Sequence, residues 1–345
     1  MVPKAPETLQ GRAARLLDSP AATKAEILSL VSTRLIEVEA AFRDNLRSPI
    51  EIIGEIGDFV ATGGGKRVRP TLHLLSARLC AYEGPHDVLL ATVLEFIHSA
   101  TLIHDDIIDE ATTRRGRASA NSKWGNSITV LFGDYLYAKA MEMALEARSL
   151  DVMEKLADVT LRMTEGEMLQ TRYAGRLDLT EAEYFDLIER KTAELFAACC
   201  ELAGILAAVD SHKREALRRY GLNLGLAFQV VDDLLDFTGD ARTLGKPAAS
   251  DLREGKVTLP VIELLSTGAG GARDLAARIM RSGEADTPEI AELSRLLGES
   301  GALDRVQRRA EDYASRATLG LAMFADGPAK RALLAVPELL IHRDR

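Results

Sequence analysis

Aromatic side chains make up only 5% of the 345 residues, tryptophan occurs once and cysteine three times. Cys80, Cys199 and Cys200 have neither the spacing of a zinc site nor the density of a disulfide-stapled domain, which leaves core thiols in a reducing, cytoplasmic setting. A run of about 18 apolar residues is missing as well. The nearest approach, Ala193 to Val209, is interrupted by Glu194 and Glu201, and the opening MVPKAPETLQGRAARLL has no apolar centre like that of a secretory signal. Stable membrane insertion is therefore not expected. Positive charge is in deficit: 43 Lys and Arg against 52 Asp and Glu give a formal −9, which argues against bulk binding of nucleic acid. Alternating strand patterns, short repeats and low-complexity tracts are also missing.

What the chain has is helical periodicity. Residues 1–20 read as a loose N-terminal segment, and residues 21–345 as a single all-α domain. Helices are expected at AEILSLVSTRLIEVEAAF, after Pro49, and over Leu72 to Leu79, Val88 to Asp109, Ser127 to Ala147 and Val152 to Tyr173. Glu181 to Val209 and Arg214 to Phe237 follow, then shorter, more polar helices from Leu259. Thr180 with Glu183 has the spacing of a capping box.

The most informative stretch is HSATLIHDDIIDEATTRRG, His98 to Gly116. On a helix, Asp105, Asp106 and Asp109 form one acidic patch. Carboxylates that close repel unless cations lie between them. Mg²⁺ suits the role because it takes one or two carboxylates and leaves its other positions to water and phosphate. A solvated acidic helix end is the alternative reading. A second copy, Asp232, Asp233 and Asp236 in FQVVDDLLDF, tips the balance toward two acidic walls holding a diphosphate.

Basic groups complete the pattern. Gly63, Gly64 and Gly65 followed by Lys66, Arg67 and Arg69 make a flexible bend suited to an anion, although it lacks the spacing of a P-loop. Lys191 and Thr192 interrupt an apolar helix, and Lys246 and Lys256 sit in a turn-rich loop able to reach back over a site. His98 lies two turns before Asp105 and reads as sharing its face, whereas His104 reads as structural. Tyr135, Tyr137, Met141 and Met143 read as core packing.

GGGKRVRP, HSATLIHDDIIDEATTRRG, ERKT, AFQVVDDLLDF and LGKPAASDLREGKVTLP, in this order, resemble the trans-polyprenyl diphosphate synthases, from about Gly63 to Pro260. The resemblance implies a prenyl-synthase helical bundle around a deep apolar cavity, a homodimer, and several Mg²⁺ ions with Mn²⁺ as a substitute. It implies head-to-tail condensation of isopentenyl diphosphate with an allylic diphosphate, farnesyl or geranylgeranyl, in the EC 2.5.1 class. By the same resemblance the six aspartates hold metal, with Asp233 and Asp236 in support. Arg114, Lys191, Lys246 and Lys256 face the allylic diphosphate, Thr192 and Gln229 help to place the reacting groups, and Lys66, Arg69, His98 and Arg115 bind isopentenyl diphosphate. Arg343 and Arg345 are less readily matched to the second site.

Product length has its own signal. Leu94, Ile97, Ala100 and Thr101 precede the aspartates; at about 1.5 Å per residue, Thr101 lies roughly 6 Å and Leu94 roughly 16 Å below Asp105. Short-chain relatives commonly carry a bulky aromatic at one of the positions matching Ala100 and Thr101. Both are small here, so the cavity is expected to continue past the first turn. HSATLIHDD resembles the long-chain, octaprenyl-type synthases, and that resemblance implies a product of about eight isoprene units, seven to ten by analogy, for a quinone side chain, released toward a membrane. The cavity floor is then expected deeper, among Phe132, Tyr135 and Met141. A farnesyl or geranylgeranyl synthase, a class I terpene cyclase and a non-catalytic partner subunit are the alternatives.

Overall fold

A helix that is apolar on nearly every side has to be surrounded, and the segment before the first aspartates is of that kind. The computed structural model describes residues 23–63, 65, 67–114, 116–239, 248–282 and 287–341. Its helices are α1 (Lys24–Asn45), α2 (Glu51–Thr62), α3 (Val68–Leu79), α4 (His86–Ile108), the short α5 (Ala120–Trp124), α6 (Asn126–Ala144), α7 (Leu150–Tyr173) and α8 (Glu181–Ile188). They continue with α9 (Glu194–Leu206), α10 (Ser211–Thr238), the one-turn α11 (Ser250–Arg253), α12 (Leu259–Ser266), α13 (Ala272–Ser282), α14 (Thr287–Glu299), α15 (Ala302–Leu319) and α16 (Pro328–Ile341). An all-α domain is what the periodicity predicts. The loose segment 1–20 lies outside the described residues.

α4 is the surrounded helix. Leu90, Val93, Leu94, Phe96, Ile97 and Ala100 are buried along it, and it packs on α6, α3 and α1. By length and composition α4 would span a bilayer, but 67% of its most apolar window is buried inside the protein. Among the described residues this makes α4, rather than Ala193 to Val209, the most membrane-like stretch, and its partners are other helices. α10, which carries the second aspartate motif, lies between α9 and α15.

Two local departures from regular helix matter for the site. After α4 the chain turns through Glu110, in the left-handed region at φ 49°, into a two-residue antiparallel pair, Thr113–Arg114 (β1) with Arg117–Ala118 (β2), with Arg114 opposite Arg117. The long helix expected over Glu181 to Val209 is in fact broken into α8 and α9 by a π-helical turn, Glu189–Ala193, that carries Lys191 and Thr192. The capping box at its start forms as expected, with Thr180 and Glu183 bonded reciprocally.

Candidate active site

Three carboxylates at the C-terminal end of a helix oppose both one another and the negative end of the helix dipole. The fold answers with a separate cation for each, from three different elements. Lys191 Nζ lies 3.9 Å from Asp105 Oδ2. Arg114 Nε donates to Asp106 Oδ1 at 2.7 Å, brought back by the β1–β2 turn. Lys256 Nζ, from the loop before α12, donates to Asp109 Oδ2 at 2.8 Å. Burial pushes the Asp105 carboxyl up to about 7; Lys191 opposes the rise, while Glu167 and Asp109 add to it. Burial also raises Asp106, against the pull of Arg114. Lys256 is shifted upward because the Asp109 and Glu254 carboxylates outweigh its own burial.

Single-turn π segments tend to occur at functional sites because they re-aim side chains. Here Lys191 and Thr192, adjacent in sequence, both line the same cleft. Lys191 also meets Glu167 of α7 at 2.5 Å. The turn is held by close backbone approach on two sides. A Cβ on Gly166 of α7 would come within 2.6 Å of the Lys191 amide nitrogen, and one on Gly225 of α10 within 2.6 Å of the Ala193 Cα.

The second motif is answered differently. Asp233 is 2% exposed and accepts from the Tyr184 hydroxyl at 2.6 Å and the Gln229 amide at 2.9 Å, and Gln229 in turn accepts from Thr192 Oγ1 at 2.9 Å. Burial raises the Asp233 carboxyl far above the usual range, and nearby Asp251 reinforces the rise. Asp236 accepts from the Ser250 hydroxyl at 2.6 Å and from the Asp251 amide at 3.2 Å, tying the start of α11 to α10. Asp232 lines the cleft itself.

These groups surround one cleft of about 410 Å³, bounded by Asp105 on one wall and by Asp232, Asp233 and Asp236 on the other, with Arg114, Lys191, Thr192, Gln229 and Lys256 between them. Gln170, Tyr173, Tyr184 and Asp251 also line it. These four, and Glu167, carry no spacing signal that would single them out in the sequence. A smaller cleft of about 100 Å³ opens on the other side of Arg114, lined by Arg67, Glu95, His98, Asp106 and Arg117 among others. His98 lines this second cleft together with Asp106 of the acidic patch, while Asp105 lines the first. His98 Nε2 meets Arg69 Nη1 at 3.0 Å. The Arg69 guanidinium sits 4.9 Å above the Phe196 ring, its Nε is buried without a partner, and burial pulls its pKa down.

Other expected site residues fall elsewhere. Lys66, Arg115 and Lys246, and likewise Arg343 and Arg345, lie outside the described residues. Leu94, Ile97 and Ala100 are buried in the core around α4, and Thr101 turns its hydroxyl onto the His98 carbonyl at 2.8 Å; none of the four lines either cleft. Phe132 and Tyr135 stack at 6.1 Å. His104, expected to be structural, is set against Gly133 and lies 3.3 Å from Asp134 Oδ1.

The donor set suits a hard dication. Both walls offer carboxylate oxygen, yet among the described residues no three metal-binding side chains converge on one point. A dication that needs a preassembled cage would find none. Mg²⁺, which binds one or two carboxylates and completes its shell with water and phosphate, fits what is present.

A family model described as polyprenyl synthetase matches residues 50–297. The chain is 37% identical over 320 residues to octaprenyl diphosphate synthase of Escherichia coli strain K12, covering 93% of this chain and 99% of that one. Its fold is similar to that of a polyprenyl synthase from Caulobacter crescentus CB15, complexed with calcium and isoprenyl diphosphate, at TM-score 0.89 and 38% identity over 94% of this chain and 99% of that one. It is also similar to a decaprenyl diphosphate synthase from Rhodobacter capsulatus, at TM-score 0.87 and 36% identity over 92% and 98% of the two chains.

Proposed function

Because the chain belongs to the polyprenyl synthetase family and is a trans-prenyltransferase, we propose that it condenses isopentenyl diphosphate with an allylic diphosphate to a product of about eight isoprene units. The observation that carries the reading is a single cleft with acidic walls from α4 and α10 and three cations between them. Mg²⁺ bound on Asp105, Asp109 and Asp232 would neutralise a diphosphate and stabilise the charge it gathers on leaving.

The protein's own residues do the rest. Lys191, Arg114 and Lys256 supply preorganised positive charge to the departing diphosphate, worth most where water is excluded. Lys191 and Lys256 are already oriented, by Glu167 and Glu254 respectively. Asp233 holds the Gln229 amide, and through it the Thr192 hydroxyl, in fixed orientation at the reacting end. Arg69, whose buried Nε has no partner and whose Nη1 meets His98 of the smaller cleft, is the cation this reading assigns to the second diphosphate. As the allylic C–O bond breaks, the alkene of isopentenyl diphosphate attacks the cationic carbon. The proton then lost passes to the released diphosphate, so no side-chain base is required.

Support for a long product comes from small side chains at Ala100 and Thr101, where short-chain relatives commonly carry a bulky aromatic, and from the likeness to octaprenyl and decaprenyl diphosphate synthases. The two Asp-rich walls and the Arg69–His98 pair favour condensation over cyclisation, which needs no second diphosphate. Ile128, Val130 and Leu131 on α6, with Leu161 and Met168 on α7, expose apolar side chains, and we assign this face to a second copy of the chain in a cytoplasmic homodimer.

Incubating the purified chain with Mg²⁺, isopentenyl diphosphate and farnesyl diphosphate, then analysing the dephosphorylated products by mass, tests the reading. An octaprenyl-range alcohol that shortens in Thr101→Phe supports it. A wild-type product of farnesyl or geranylgeranyl length would refute the length assignment. Strict need for a partner protein would refute self-sufficiency.

A further inference from the structure

By sequence, Arg67 belongs with its neighbours Lys66 and Arg69 as one of three cations on an anion-binding bend. The structure separates it from Arg69. Glu39 of α1 accepts from Arg67 Nε, and from Nη2 at 3.1 Å; Glu95 of α4 accepts from Nη1; the Phe42 ring lies 5.4 Å below the guanidinium. The Arg67 and Glu95 side chains are 17% and 8% exposed. An arginine has five N–H donors in a fixed fork, and here three of them are committed to carboxylates. The triad of one arginine and two glutamates carries a net negative charge. Arg67 and Glu95 line the same cleft as His98, but with three of its donors committed to carboxylates Arg67 is not placed to hold a phosphate, so direct attraction for substrate does not explain its presence.

The backbone supplies the explanation. Arg67 sits in the left-handed region, at φ 47° and ψ 38°, as the residue that starts α3. A residue with a side chain adopts that conformation only when its surroundings enforce it. The Arg67 carbonyl accepts from the Thr71 amide at 3.1 Å and the Thr71 hydroxyl at 2.8 Å, so its conformation sets the direction of the first turn of α3. Arg69 lies in that turn and meets His98. Glu95 and His98 stand one turn apart on α4, and residues at that spacing share a face. One face of α4 therefore fixes Arg67 through Glu95 and receives Arg69 through His98.

We propose that Arg67, clamped by Glu39 and Glu95, is a positioning residue for isopentenyl diphosphate: it sets the bend that aims Arg69 at the second diphosphate without touching the substrate. The inference rests on the reading of the Arg69–His98 side given under the proposed function.

Arg67→Lys and Glu95→Gln each keep a similar shape and break the fork. In both, KM for isopentenyl diphosphate should rise about tenfold, the equivalent of one charge-assisted hydrogen bond. kcat at saturation and KM for the allylic diphosphate should stay within about twofold. Calorimetric titration with isopentenyl diphosphate alone should show the same loss of affinity. Glu39→Gln, at a half-exposed position, is the milder variant if either of the others fails to fold, and should give a smaller rise of the same kind. Arg69→Ala separates the two levels of inference. If it leaves KM for isopentenyl diphosphate unchanged, the site reading itself fails. If it raises that KM while the folded clamp variants do not, only the clamp is overturned. Equal damage to both substrates in the clamp variants would also overturn it, by showing a general loss of structure.

Discussion

The two aspartate motifs share one spelling, yet the folded chain neutralises them in different ways. At the end of α4, each carboxylate meets a side-chain cation: Lys191, Arg114 and Lys256 in turn. In α10, Asp233 accepts from the Tyr184 hydroxyl and the Gln229 amide, and Asp236 accepts from the Ser250 hydroxyl and the Asp251 amide. The difference follows from location. The first motif ends a helix at the mouth of the cleft, where loops and other helices can bring long basic side chains. The second also falls in the last two turns of its helix, but α10 is packed between α9 and α15, and Asp233 and Asp236 are 2% and 1% exposed. A carboxylate paired with a side-chain cation at the cleft can exchange that partner for a metal ion, whereas a buried one tied to hydroxyl and amide donors serves as scaffold.

The comparison can be broken most directly at the residues facing the cleft. Asp105→Ala and Asp232→Ala should each lower kcat by roughly 10²–10³-fold, the scale of losing a preorganised electrostatic contact to the leaving group. Turnover near the wild-type value in either would remove that wall from the mechanism. Far-ultraviolet circular dichroism should be unchanged in both.

Stabilisation by ligand tests whether the walls are complete without phosphate. Mg²⁺ and inorganic diphosphate added together, each well above saturation, should stabilise the fold by about 2.7 kcal/mol at a hundredfold excess over Kd. Mg²⁺ alone should do far less. Equal shifts in thermal midpoint with and without diphosphate would mean that the protein alone forms a metal cage.

Scaffold and exchangeable carboxylates should also part in denaturant melts. Asp236→Ala strands the Ser250 hydroxyl and the Asp251 amide and should cost about 1–3 kcal/mol. Asp109→Asn breaks a pair whose side chains are both about a quarter exposed, and its stability cost should stay under about 1 kcal/mol. A larger cost at Asp109 than at Asp236 would reverse the assignment.

Much of this was legible in the sequence, for physical reasons. Helices with one apolar face announce themselves by period, and the Thr180–Glu183 box by its spacing. Paired carboxylates near lysines imply cations and phosphate wherever they lie. The illegible parts share a different character. Glu167, Gln170, Tyr184 and Asp251 are single polar residues on helices or loops, and what makes them part of the site is the partner each meets across the fold. Spacing alone placed His98 on a face with the acidic patch, and the family motifs grouped it with Arg69, which the packing of α3 against α4 brings to 3.0 Å from it. Arg67 reads as one more phosphate cation until Glu39 and Glu95 are seen to enclose it.

The π turn at Glu189–Ala193 amounts to one surplus residue, spliced into what is otherwise a continuous rod. At about 100° per residue, that surplus sets α8 and α9 out of phase, as a dislocation offsets two halves of a crystal row. Chain length on either side can then vary only in ways that preserve the offset. Deleting one residue within the turn would heal the rod into regular α-helix and satisfy every local propensity, yet would rotate α8, and Tyr184 with it, by about 100° away from Asp233. The protein keeps a local defect because the angle between its two flanks is what brings Tyr184 to Asp233.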